Sequence, residues 1–190
     1  MPSAFTLEET ARRLGAYRWV ELRLYEAMGS WVDSIPELEV RVAVGAACGA
    51  HAWHADVWLD RLPEARAFDP DALTVPAHAG VADLLEAVAA SNGTLERLVA
   101  AYRIVVPRLV AAYTAHASHT SAAADRPVAR SLGIVLSDEL AAWRDGELLV
   151  QSMVATADDA ARAAAHQARL EALVAPAGGL AGPGSLRPRI

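Results

Sequence analysis

Apolar residues return along this chain with the three-to-four residue spacing of helices that each bury one side. The first stripe, Leu7, Leu14, Tyr17, Leu24, Met28 and Trp31, predicts a helix over residues 6–32, opened by the capping box Thr6-Leu-Glu-Glu9. A second, Val40, Val44, Ala47, His51, His54, Trp58 and Leu62, predicts a helix over 37–62, with Pro36 at its tolerated N-terminal edge. The turn between them is short, so the two helices are antiparallel neighbours. Residues 63–80 are rich in Pro, Asp and Ala without sustained period and read as a long connection, with His78 in solvent.

Residues 81–90 are helical, Ser91-Asn92-Gly93 interrupts, and the pattern resumes over 94–116 on Leu95, Val99, Tyr102, Val106, Leu109 and Tyr113, where Pro107 is expected to bend the helix. His116 and His119 beyond it read as solvent-facing loop residues. Pro127 opens a further helix to about residue 155, on Val128, Leu132, Val135, Glu139, Ala142, Leu149 and Met153. An Ala-rich amphipathic helix over 158–174 follows. The expectation is one all-α domain over 1–175, an antiparallel four-helix bundle with a long connection between its second and third helices and an extra C-terminal helix. A flexible Gly/Pro/Arg tail over 176–190 completes the chain.

Composition supports that architecture and narrows the function. The 190 residues are 54% hydrophobic, Ala-rich and poor in strand formers, a mixture suited to packed helices. With a net charge of −6 and every cationic side chain an Arg, the chain lacks a basic footprint for nucleic acid or anionic membrane. Cys48 is the only cysteine, which excludes an intrachain disulfide and a thiolate zinc site. The first residues lack the blocks of a signal peptide, and no apolar run approaches the ~20 residues of a spanning helix. A cytoplasmic protein is expected.

Four side chains break the apolar stripes. His51 and His54 lie one turn apart on the inward side of the second helix, a spacing that presents two imidazole nitrogens to one point. Glu21 falls on the stripe of the first helix, and reflection about a turn centred near residue 35 puts it close to the height of the two histidines. Glu139 falls on the stripe of the helix that follows Pro127, with Asp138 beside it able to turn inward instead. A carboxylate at a core position costs several kcal/mol unless paired or metal-bound. Two readings of these residues stay open. They are either surface or core groups satisfied by hydrogen bonds and by arginines such as Arg18, Arg103 and Arg144, or one metal site made of two imidazoles and one or two carboxylates. The second suits Fe, and the same atoms suit Mn or Zn.

Glu21, the His51-x-x-His54 pair, the long connection and Glu139 together resemble the ferritin-like carboxylate di-iron superfamily over residues 6 to 155. In that family each of two helices gives a Glu and each of the other two gives a Glu-x-x-His pair. Here His54 stands at the first family histidine and His51 replaces the paired glutamate. The third bundle helix has Tyr102, Val105 and Val106 where an inward Glu is expected, and Ala142 stands where the second histidine would be. The resemblance implies a metal-dependent oxidoreductase or oxygenase acting on a small metabolite, with Tyr17, Tyr25, Trp53, Trp58, Tyr102 and Trp143 as candidates for a dry pocket wall. The alternative is a metal-free bundle of the same ancestry, with the Glu/His set as a buried polar network, that binds a small molecule or protein partner or works as a cofactor-independent enzyme. Small residues at Gly45, Ala46, Gly49 and Ala50 allow close approach of another helix, as across a homodimer interface.

Overall fold

The computed structural model describes residues 4–121, 123–175 and 178–181, and among them every regular element is helical. Helix α1 spans Leu7–Val32; the Thr6 hydroxyl caps it by accepting the Glu9 N–H at 3.2 Å. The Glu9 carboxylate turns instead to Arg12 and Arg13, so half of the expected box forms. Helix α2 spans Leu38–Leu59 and runs antiparallel against α1. It ends before Leu62, whose N–H closes a turn on Leu59 while its side chain stays buried.

The long connection is not structureless. It holds one helical turn, α3 at Pro70–Leu73, capped by the Asp69 side chain. Gly15 is the reason this turn can lie on α1, since a Cβ there would stand 2.1 Å from the Leu73 carbonyl oxygen. His78, expected in solvent, is half-buried and donates to the Gly179 carbonyl at 3.0 Å. Helix α4 follows at Ala79–Ala89, and the break after it turns on Gly93, at φ 93°.

Helix α5 runs through Thr94–Ala117. The distortion expected at Pro107 takes the form of a π-helical stretch, Ala100–Val105, immediately before it. Proline has no N–H for the carbonyl four residues back and its ring crowds that carbonyl, and a widened turn relieves both. By length and composition α5 is long and apolar enough to cross a membrane, which corrects the sequence reading that found no such run. In this fold its apolar side is core: Leu95, Leu98, Val99, Ile104, Val106 and Leu109 are among its fully buried residues.

Helix α6, Arg126–Met153, returns along α5 and also meets α2. Helix α7, Ala157–Val174, opens on a complete capping box between Thr156 and Asp159 and packs on α4 and α5 through Ala163, Leu170 and Val174. Of the stretch read as a tail, residues 176, 177 and 182–190 lie outside the described residues. Leu180 and Ala181 lie within them and are buried. His116 is a correction. It is buried at the end of α5, where Phe5 meets its ring edge-on and stacks on His119.

Candidate metal centre

The four charged or polar residues picked out on the stripes converge. Glu21 from α1, His51 and His54 from α2 and Glu139 from α6 are all buried, and one ligand atom from each lies within 4.8 Å of the others. The convergence follows from helix phase. His51 and His54 share the α2 stripe with Val44 and Trp58, and Glu21 and Glu139 hold core positions between Tyr17 and Leu24 and between Val135 and Gly146.

Both imidazoles turn their Nδ1 atoms inward. His51 Nδ1 is 2.6 Å from Glu21 Oε2 and 3.5 Å from Glu139 Oε1, and His54 Nδ1 is 3.0 Å from Glu139 Oε1 and 3.6 Å from Glu21 Oε1. Nitrogen and oxygen donors around one ion at ~2.0–2.2 Å stand ~2.8–3.6 Å from one another in adjacent octahedral or tetrahedral positions. Three of the four observed separations lie within that range, and the 2.6 Å contact of His51 with Glu21 is shorter. In the metal-free arrangement the same contacts are charge-assisted hydrogen bonds, with an Nδ1–H facing a carboxylate.

Electrostatics follow from placing two acids and two bases where water does not reach. Burial acts to raise the Glu21 carboxyl, but His51 and His54 outweigh it and hold the group at about 2. Burial acts to lower His54, but its hydrogen bonds to Glu139 and Glu21 carry it up to about 10. His51 is raised in the same way, against burial, by the charges of Glu139 and Glu21. Glu139 moves opposite to Glu21: burial, and then the Glu21 charge beside it, raises its carboxyl. Its Oε1 serves His54, while its Oε2 is fully buried without a hydrogen-bond partner. An unsatisfied buried acceptor costs ~1–3 kcal/mol. A cation among the four groups would fill that gap.

Around this set lies a supporting shell. Tyr113 donates its hydroxyl hydrogen to Glu21 Oε1 at 2.5 Å and accepts from Trp58 Nε1 at 3.2 Å, which fixes the carboxylate plane and leaves Oε2 to the site. Tyr17 packs edge-on against Tyr113 at 4.8 Å and on Trp58. On the other flank His54 Nε2 lies 3.5 Å from Asp138 Oδ2, the orientation in which an outer carboxylate steadies a metal-binding imidazole. Asp138 therefore reaches the site from outside the cluster.

Of the six aromatic residues expected to wall the site, Tyr17 and Trp58 are buried and pack on Tyr113, which in turn touches Glu21. Tyr102 is buried with its ring over Gly146, seven residues along α6 from Glu139, and burial and then the Glu139 charge raise its phenol. Trp53 leans on the His54 ring at 5.5 Å but is half-exposed, and Tyr25 and Trp143 are exposed. Tyr113, which the sequence reading placed only in the core stripe, is the aromatic residue in direct contact with the cluster. Nothing in its spacing distinguishes a phenol that pairs with Glu21 from one that merely packs.

Comparison with family models, curated proteins and solved structures finds no match to this chain. The fold class that stands is all-helical, with a buried Glu/His group that could hold a metal ion.

Proposed function

We propose that this chain is a metal-dependent oxidoreductase or oxygenase of ferritin-like architecture, acting on a small molecule, with a single divalent ion held by Glu21, His51, His54 and Glu139. The observation that supports it most is the convergence of these buried donors from three helices around one point, with Glu139 Oε2 left without any other partner. Two imidazoles and two carboxylates suit Fe, Mn or Zn, and a redox-active ion among them supplies oxygen or one-electron chemistry. The protein's own part is positional. Trp58 and Tyr113 fix Glu21, Asp138 steadies His54, and the Tyr17–Trp58–Tyr113 cluster keeps water from the interior face.

A second reading is favoured by a different observation: without any ion, each imidazole already has a carboxylate, and two positive groups offset two negative ones. Such a network would be a buried polar core in a metal-free ferritin-like protein. Metal content of anaerobically purified protein separates the two. About one Fe or Mn per chain, lost in His54→Ala, is the expected result. A chain that carries no metal and takes up none from Fe, Mn or Zn solutions refutes the metal reading and leaves the polar network.

A further inference from the structure

Between its terminal charges Glu39, Arg41 and Asp56, helix α2 is apolar except for the two inward histidines. From Val42 to Ala55 it contains no carboxylate and no arginine. A helix of that kind is normally covered all round, yet only its histidine-bearing side is covered here. The opposite side is open to solvent and presents Leu38, Val42, Gly45, Ala46, Gly49 and Trp53, spaced as a single stripe. Leu38 is 69% exposed, Val42 65% and Trp53 48%. Gly45 and Gly49 sit in mid-helix with nothing within 4 Å of where a Cβ would stand, so no neighbour in the monomer accounts for them. Each costs roughly 1 kcal/mol of helix stability relative to Ala.

We infer that this face is the interface of a two-fold dimer of the chain, with the two α2 helices crossing antiparallel over Gly45, Ala46 and Gly49. The stripe reads nearly the same in both directions about its midpoint between Ala47 and Cys48. In an antiparallel pair Val42 stands opposite the partner's Trp53, Ala46 opposite the partner's Gly49, and Gly45 opposite the partner's Ala50. Bulk at both ends and small residues at the centre is the pattern by which two identical helices approach closely while their knobs fill each other's flanks. A foreign partner would not require that symmetry.

Charge points the same way. Two copies each carrying −6 repel over most of their surfaces, and from Val42 to Ala55 this face adds no charged group, although Glu39 and Asp56 stand exposed at its ends. At each end Arg41 falls on the same flank as the partner's Asp56. The Arg41 guanidinium is held at the start of α2 by the Ile35 carbonyl at 2.8 Å, which fixes its position. The stripe from Leu38 to Trp53 is ~23 Å long and one helix wide, less than the ~800 Å² per partner of a standard stable interface. The dimer is therefore one that dissociates on dilution through the micromolar range. It does not rest on the metal reading, although it would cover the outer side of the helix that bears both histidines.

Light scattering on a size-exclusion column, run from high to low micromolar chain concentration, tests this. The wild type is expected to pass from dimer to monomer on dilution. Gly49→Glu should be monomeric at every concentration without loss of thermal stability, because the space around position 49 in the monomer is open. Gly45→Ala with Gly49→Ala gives the sharper result: monomer stability should rise, as helix propensity requires, while dimer affinity falls at least tenfold because the added methyl groups hold the helices apart. A wild type that stays monomeric throughout overturns the inference. So does a Gly49→Glu variant that dimerises like wild type.

Discussion

The charge state of the cluster makes a quantitative demand on metal binding. In the metal-free protein the proton of each imidazole sits on the Nδ1 that a metal would occupy, so uptake must displace it. With His54 at about 10, removing its proton at pH 7 costs about 4 kcal/mol, from ~1.4 kcal/mol per pH unit, and weakens apparent affinity by roughly a thousandfold. Each displaced proton contributes a tenfold gain in affinity per pH unit. Both histidines contribute near pH 6, where the slope of log affinity against pH should approach about two. An ordinary histidine site, titrating near 6.5, flattens above about pH 7.5. Here His54 should keep the slope at or above about one up to about pH 9. Chelator competition with Zn, a redox-inert probe, measures this directly. A slope that vanishes above pH 7.5 would mean that the imidazoles are neutral before metal arrives, and the derived charge pattern would be wrong.

Three further outcomes follow from the same structure. The metal-free protein should lose stability as pH rises from about 6.5 towards about 10, because the raised His54 stabilises fully below its unfolded value and not above its folded one, and the raised Glu139 acts in the same sense starting from about 4.5. Glu21, held low, gives stability that is present above about 4.5 and lost as pH falls towards about 2; urea titrations across pH should therefore show their maximum between about 4.5 and 6.5. Gly146→Ala should destabilise by about 1–3 kcal/mol despite better helix propensity, since its Cβ would stand 2.1 Å from two ring carbons of Tyr102; unchanged denaturation would show that the ring has room to move. Tyr113→Phe should cost about 1–3 kcal/mol by removing the donor to Glu21 and leaving the Trp58 N–H unpaired, and a variant as stable as wild type in denaturant would remove Tyr113 from the supporting shell.

How much of this was legible beforehand depends on what helix periodicity can carry. Phase identifies which side of a helix a residue occupies, so Glu21 and Glu139 stood out as charges on apolar stripes, and His51 and His54 as a pair. Phase also excludes Trp53 as an inner wall, because it stands 200° round the helix from His51 at 100° per residue. Height between helices is a weaker inference. Reflection about the turn puts Tyr102 level with Glu139, whereas its ring lies over Gly146, and a π-helical stretch runs through that part of α5. Pairings such as Tyr113 with Glu21, or Phe5 over His116, join residues 92 or 111 positions apart, and no local pattern announces them. The turn α3 likewise depends on Gly15, a residue of another helix.

The make-up of the cluster bears on why it exists. Two carboxylates and two imidazoles in a helical core are not how a fold gains stability, since apolar residues of similar volume in place of a buried ion pair are often neutral or favourable by ~1–4 kcal/mol. The surrounding core shows that this chain builds apolar contacts readily: Leu14, Leu24, Met28, Trp31, Leu132 and Val135 are all fully buried nearby on the same helices. Against that background the polar set is costly, and its own hydrogen bonds still leave Glu139 Oε2 unsatisfied. A structural network selected only to close would be expected to close completely. This one, supported by Tyr113, Trp58 and Asp138 from outside, leaves an acceptor open among two carboxylates and two inward Nδ1 atoms, a donor set that could hold a cation.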